Sequence, residues 1–68
     1  MATRPERMLD WFDYEHLPPD LRAVSMYFHD LANVIVKQLE PGPERTVALR
    51  KLLEAKDAAV RAKVRPGG

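Results

Sequence analysis

The feature that most constrains this chain is the segment Pro41-Gly42-Pro43, which lies a little past the midpoint of the sequence. Proline lacks a backbone N–H and clashes with the preceding helical turn, so two prolines around a glycine end any helix that reaches them. Pro43 also suits the first position of a new helix, where a missing N–H is no loss. The segment therefore predicts an αα-hairpin, with one helix on each side of a tight turn.

The first helix is predicted over residues 19–39, and the turn over residues 40–43. Apolar residues recur on this helix at alternating spacings of three and four, the heptad pattern of packed helices. The positions expected to face a partner helix are Leu21, Val24, Phe28, Leu31, Ile35 and Leu39. The opposite stripe is expected to be solvated, although its methionine also hints at contact with another subunit; it consists of Arg22, Met26, His29, Asn33 and Lys37.

The second helix is predicted over residues 43–64. Its apolar face carries Leu49, Leu52, Leu53, Ala59, Val60 and Val64. Three alanines at seven-residue intervals, Ala48, Ala55 and Ala62, would let either the first helix or a neighbouring protomer approach closely. Lys56 falls near the middle of the apolar face. Its alkyl stem could cover that surface, or its ammonium could meet an anion between subunits.

The N-terminal part of the chain precedes the hairpin and is rich in aromatic residues. We expect residues 1–7 to form a frayed tail, with one helical turn over residues 5–11 followed by an extended segment. Trp11, Phe12 and Tyr14 fall within four positions. They are expected either to cover the end of the hairpin as a hydrophobic flap or to form a binding platform, since large rings serve both purposes.

The length of 68 residues allows a single domain, residues 1–68, with a small core. Such a core rarely supplies more than about 3–5 kcal/mol, and small scaffolds usually add disulfides, a metal or an oligomer. The chain has no cysteine. The predicted fold class is therefore all-α, a two-helix antiparallel hairpin with a short aromatic N-terminal segment, assembled into a homo-oligomeric helical bundle.

Several classes of protein are disfavoured by the sequence. It has no signal-peptide pattern and no run of about 18 apolar residues, so a cytoplasmic protein that does not enter a membrane is expected. The two histidines, His16 and His29, lack a metal-binding spacing. Ser25 and Thr46 have no histidine in helical register to act as a base. We therefore expect no enzyme activity, no metal and no cofactor.

The charges are divided between the two halves of the chain. Residues 1–40 carry four basic and seven acidic residues, a net charge of −3, whereas residues 41–68 carry seven and three, a net charge of +4. Two solvated faces that attract each other would explain this division, and so would an anion site on the second helix. A helix N-terminus attracts phosphate, and this one carries Arg45, Thr46, Arg50 and Lys51. Cations beside aromatic rings favour nucleotide recognition.

Two stretches of the sequence resemble a family of short helical hairpins encoded by tailed phages. They are Trp11-Phe12-Asp13-Tyr14-Glu15-His16-Leu17-Pro18 and the run from Pro41 to Ala55, PGPERTVALRKLLEA. The family pattern is an aromatic residue, Tyr-His-Pro, a helix, a proline turn and Glu-Arg/Lys-Ser/Thr-x-Ala-Leu/Ile-x-x-Leu-x-Glu-Ala. This chain departs from the pattern at Glu15 and Leu17. It also has Lys56-Asp57 where relatives often have an aromatic residue and then an asparagine.

The resemblance implies an immune-evasion sponge of the bacterial cytosol. Characterised members sequester cyclic di- or trinucleotide or cyclic ADP-ribose-type signals of the CBASS and Thoeris defences without cleaving them. They assemble as homo-oligomers, commonly hexamers, with pockets between protomers. By resemblance, the ligand-binding residues would be Tyr14, His16, Arg45, Thr46, Arg50 and Lys51.

Two other functions are compatible with the sequence. A structural or protein-interaction hairpin needs no small ligand, because the heptad pattern and the alanine ladder account for helix packing without one. A nucleic-acid binder would use the basic second helix, but acidic residues are interspersed there and the net charge of the chain is only +1. Binding to nucleic acid is therefore the least favoured function. It would be excluded if the protein showed no interaction with DNA that weakens as the salt concentration rises.

Overall fold

In the computed structural model, which describes residues 7–67, the chain folds into a helical hairpin with a short N-terminal helix packed on it. A 3₁₀ helix spans Arg7–Phe12, helix α1 spans Pro19–Gln38, and helix α2 spans Pro43–Val64. The predicted all-helical architecture with two long packed helices is confirmed, and no strand occurs within the described residues. The predicted tail falls mainly on residues 1–6, which lie outside that range.

Prolines fix the start of both long helices. Pro18 has φ −55° and ψ 155°, an extended conformation that a residue before proline prefers, so α1 begins only at Pro19. Its first hydrogen bond runs from Arg22 N–H to the Pro18 carbonyl at 2.8 Å. Pro43 likewise occupies the first turn of α2. The two helix starts coincide with those predicted, and α1 ends one residue earlier than predicted, at Gln38.

The core of the hairpin is a cluster of three fully buried residues, Phe12, Ala32 and Leu49. Each comes from a different helix, so the 3₁₀ helix is joined to both long helices. Partly buried side chains surround the cluster: Met8, Leu9, Phe28, Ile35, Val36, Leu52 and Leu53. The ring of Phe12 therefore belongs to the core, whereas the adjacent Trp11 remains 67% exposed. The prediction that aromatic residues of this segment cover the hairpin is therefore met by Phe12 and not by Trp11.

The line of α1 that faces the core differs from the predicted one. Leu31 and Leu39 were expected there, but their side chains are 48% and 47% exposed. The fully buried positions on α1 are Ser25 and Ala32, one residue further along than Val24 and Leu31. The physical reason is that Phe12 packs against α1 from outside the helix pair, and a small residue such as Ala32 leaves room for its ring.

Helix α2 packs through most of the apolar face predicted for it. Leu49 is fully buried and Leu52, Leu53, Ala59 and Val60 are partly buried, as the predicted apolar face requires. Val64 was predicted on the same face but is 65% exposed. In an antiparallel hairpin that pairs Ala32 with Leu49, Val64 lies opposite the residues before Pro19, beyond the start of α1, so α1 does not cover it. In the alanine ladder, Ala55 and Ala62 are exposed and so are not covered by α1.

Phe12 is expected to control the stability of the hairpin. The substitution Phe12→Ala should lower the free energy of unfolding by about 3–5 kcal/mol, since it removes a buried ring and leaves a cavity. That loss approaches the whole stability expected of so small a domain. Thermal unfolding followed by far-UV circular dichroism measures the effect. The matched control is Trp11→Ala at the exposed neighbouring ring, which should change stability by no more than about 0.5 kcal/mol; equal effects would show that Phe12 is not the core residue.

Ser25 is a buried polar residue whose hydroxyl finds no hydrogen-bond partner among the described residues. Ser25→Ala should therefore raise the free energy of unfolding by about 1 kcal/mol, because it removes an unpaired hydroxyl and improves helix propensity. Urea denaturation tests this. The reciprocal change Ala32→Ser, at the other buried small position of α1, should destabilise the protein. A loss of stability in Ser25→Ala would indicate that the hydroxyl has a partner in the protein in solution.

Candidate functional site

Tyr14 packs against α1 at His29. The two ring centroids are 5.0 Å apart with an interplanar angle of 68°, an edge-to-face arrangement. The turn after the 3₁₀ helix positions Tyr14, because the N–H of Leu17 donates a hydrogen bond to the Tyr14 carbonyl at 3.0 Å. A shallow cavity of about 260 Å³ opens beside the rings and is lined by Asp13, Tyr14, Glu15 and His29. An aromatic ring is therefore held in place and still partly open to solvent.

His29 is oriented by its neighbours on α1. The side-chain amide of Asn33 donates to the His29 carbonyl at 2.9 Å and lies 3.4 Å from Nε2, while Nδ1 lies 3.3 Å from an Asp30 carboxylate oxygen. These contacts place Nδ1 beside the Asp30 carboxylate and Nε2 beside the Asn33 amide. The imidazole is therefore held in its orientation against Tyr14.

The cavity at Tyr14 is acidic, since two of its four lining residues are carboxylates. A phosphate would be repelled there, whereas an exocyclic amino group or ring N–H of a base could donate to Asp13 or Glu15. His16 does not line this cavity and is exposed on the turn that leads to α1. Of the two residues expected from the aromatic motif, Tyr14 lines this cavity and His16 does not.

Arg45 joins the beginning of α2 to the end of α1. Its Nη1 donates to the carbonyl of Leu39 at 3.1 Å and to that of Val36 at 3.3 Å. The last carbonyls of a helix lack intrahelical partners, and a cation near them interacts favourably with the helix dipole. Arg45 thus has a structural role as a cap of α1 that the sequence did not suggest.

The other residues expected at the turn differ in their surroundings. The Thr46 hydroxyl donates to the Gly42 carbonyl at 3.2 Å, within the first turn of α2. Arg50 is exposed one turn further on. Lys51 is exposed and lies 3.9 Å from Glu54, a surface pair that contributes little to stability. Arg50 and Lys51 therefore contribute less to the stability of the fold than Arg45 does.

The aromatic and cationic halves of the expected site are separated within one chain. Tyr14 contacts α1 at His29, whereas Arg45 contacts it at Val36, seven residues later. At 1.5 Å per residue this is about 10 Å along the helix axis. A ligand that engages both halves must therefore span that distance or take one half from a second protomer.

Two further features lie away from the expected residues. The Lys56 side chain is only 15% exposed, and its ammonium lies 2.9 Å from the Asp57 carboxylate, so this cation is already paired. A larger cavity, of about 580 Å³, is lined by Ala58, Arg61, Ala62, Val64, Arg65 and Gly67 at the end of α2. It is formed by one helix end and the turn after it, and none of the expected ligand-binding residues lines it. The smaller cavity at Tyr14 is therefore the better candidate for a ligand site.

The residues that the sequence did not identify as part of the site are His29 and Asn33. Both lie on the stripe of α1 that was expected to be solvated, yet both are partly buried. Their spacing of four places them on one helix face, and Met26 precedes His29 by three. In the sequence, Met26 makes this stripe partly apolar, and an aromatic-rich segment precedes α1. Together these two features could have predicted that the segment folds back onto this side of α1.

Within residues 7–67, no group of three or more histidine, cysteine, aspartate or glutamate side chains is arranged to hold a metal ion. No helix in the same range has the length and apolar character needed to cross a membrane. No protein-family model matches the chain, and no match is found among curated proteins or solved structures. The likeness to the phage hairpins therefore stays a prediction from the two sequence motifs.

The capping role of Arg45 can be tested directly. Arg45→Met keeps the aliphatic stem and the helix propensity but removes two charge-assisted hydrogen bonds, so the free energy of unfolding should fall by about 1–2 kcal/mol. Arg50→Met is the matched control at an exposed arginine and should change it by less than about 0.5 kcal/mol. Chemical denaturation of the two variants without any ligand provides the comparison. Equal stabilities would contradict the capping role.

Proposed function

We propose that this chain is an anti-defence sponge of the phage hairpin type, which binds a cyclic nucleotide immune signal and sequesters it without cleaving it. The ligand would be a cyclic di- or trinucleotide or a cyclic ADP-ribose-type molecule in the host bacterial cytosol. The protein would act as a homo-oligomer, commonly a hexamer in the family that it resembles. The proposal concerns binding, and no catalytic residue is assigned.

The observation that carries the proposal is the placement of one aromatic and one cationic feature on the same hairpin. Tyr14 is held against His29 beside a small acidic cavity, which suits the hydrogen-bond donors of a base. Arg50 and Lys51 are exposed about two turns into α2, where both can donate charge-assisted hydrogen bonds to a phosphate. Together these features supply the two kinds of contact that nucleotides require.

The separation of Tyr14 from the first turn of α2 favours a pocket shared between protomers. The contacts of Tyr14 and Arg45 with α1 lie about 10 Å apart along the helix, and Arg45 is engaged in capping it. In such a shared pocket, Tyr14 of one protomer would stack on a base while the α2 start of another would hold a phosphate. Thr46 would add a hydroxyl group, and His16 would lie at the rim.

Binding is best tested by thermal shift against cyclic dinucleotides, cyclic trinucleotides and cyclic ADP-ribose isomers. A ligand present at 100 times its dissociation constant should stabilise the native protein by about 2.7 kcal/mol per site. The nucleotide released by heating should then be chromatographically identical to the one added, because a sponge does not cleave its ligand. Recovery of a hydrolysed product would contradict sequestration.

The site assignment needs variants that do not disturb the fold. Arg45→Ala is unsuitable because it also removes the cap of α1, so Arg50→Ala is the diagnostic change. It should weaken binding at least about tenfold, the cost of one lost charge-assisted hydrogen bond. Arg61→Ala provides the matched control, an exposed arginine three turns further along α2. Equal affinities in the two variants would overturn the assignment of the phosphate contact.

The alternative function is that of a structural or protein-interaction hairpin with no small ligand. The specific observation in its favour is the number of large apolar side chains left outside the core, above all Trp11 at 67% exposure. Arg45 and Thr46 also have structural roles that need no ligand. A screen in which no cyclic nucleotide shifts the melting temperature would favour this alternative.

A further inference from the structure

Helix α1 carries an apolar stripe that the hairpin itself does not cover. Val24 is partly buried, while Tyr27, Leu31 and Val34 are 70%, 48% and 49% exposed. At 3.6 residues per turn these four positions fall within an arc of about 80°. Their spacing of three, four and three is that of a helix that packs against another helix. The stripe therefore has the pattern of an interface, and residues 7–67 of the same chain provide no partner for it.

The stripe is distinct from both surfaces of α1 already described. It is rotated by roughly 130° from the line of Ser25 and Ala32 that faces the core, and it lies opposite the side that carries His29. Contact through the stripe would therefore leave the cavity at Tyr14 open. The stripe was not recognised from the sequence, because Val24 and Leu31 were assigned to the face that packs on α2.

The charges near the two ends of the stripe indicate what covers it. Asp20 lies in line with the stripe in the first turn of α1, and Lys37 lies to one side of its other end in the last turn. Both are exposed. If two copies of α1 pack antiparallel, with a two-fold axis level with His29, each Asp20 lies at nearly the same height as the partner's Lys37. A parallel arrangement would instead place like charges together, and antiparallel packing also opposes the two helix dipoles.

The apolar positions match in the same arrangement. An antiparallel pair centred at residue 29 sets Tyr27 opposite the partner's Leu31 and Val24 opposite the partner's Val34, twice over by symmetry. This is the isologous contact of a two-fold dimer. We propose that the stripe Val24, Tyr27, Leu31 and Val34 is the surface through which two copies of this chain associate, with their α1 helices antiparallel.

The dimer is expected to be weak and reversible. The stripe covers three helical turns, about 15 Å, and so buries less than a standard interface. The inference concerns the self-association included in the proposed function and does not depend on a ligand. Because the assembly is measured without nucleotide, failure of ligand binding and failure of this interface can be told apart.

Sedimentation velocity over a series of protein concentrations, up to near-millimolar, tests the interface. The wild-type protein should shift from monomer towards dimer or larger as its concentration rises. Leu31→Glu places a charge in the centre of the stripe and should weaken association at least about tenfold. Val64→Glu is the matched control, since Val64 is equally apolar, 65% exposed and outside the stripe. A wild-type protein that remains monomeric, or a Leu31→Glu variant that associates like wild type, would overturn the proposal.

The orientation is tested by mixing charge variants. Asp20→Lys and Lys37→Asp should each associate less than wild type, because every antiparallel homodimer then brings like charges together at both ends. An equimolar mixture of the two variants should recover association, since the lysine introduced in one variant meets the aspartate introduced in the other across the mixed dimer. Circular dichroism of each variant verifies that the helices are intact. If both variants remain folded but their mixture associates no better than either variant alone, the antiparallel arrangement is wrong.

Discussion

The structure depends on one aromatic ring that enters the hairpin from outside it. Two helices of about twenty residues with a single turn between them bury little apolar surface, and among the described residues only Ala32 and Leu49 are fully buried apolar positions on these helices. Phe12 adds a third element to their contact and fixes the N-terminal segment on the helix pair. The position of Tyr14, two residues later, follows from that anchor, because the chain leaves the core at Phe12 and turns back along α1.

A second constraint operates at the turn, where one side chain serves two helices. Arg45 belongs to α2 but caps the carbonyls at the end of α1. From its position at the start of α2, Arg45 is the residue most readily predicted to bind phosphate. The same side chain also stabilises the turn between the two helices. Arginine suits both purposes, since its planar group has five donors in a fixed geometry. In the proposed function, ligand binding and stability would both depend on Arg45, whereas Arg50 and Lys51 would affect ligand binding alone.

The surface of α1 is divided among three kinds of contact. One face packs on α2 and Phe12, the side at His29 receives Tyr14, and the stripe from Val24 to Val34 is left largely uncovered by the described part of the chain. A helix with apolar residues over so wide an arc is typical of a protein that buries more surface than its own fold covers. The proposed sponge and the alternative interaction hairpin both require such a surface, and they differ in whether Tyr14 and the start of α2 bind a ligand.

The two helices and the turn were predictable from the sequence, because proline geometry and helical periodicity are local and act in any context. The sequence also located the cations at the start of α2. Three outcomes became visible only in the fold: the buried line of α1 runs through Ser25 and Ala32, Phe12 and not Trp11 enters the core, and His29 lies against Tyr14. These outcomes depend on where a third element docks. The periodicity of α1 allows more than one line of residues to face the core. The volume of the Phe12 ring favours the line with the smallest side chains.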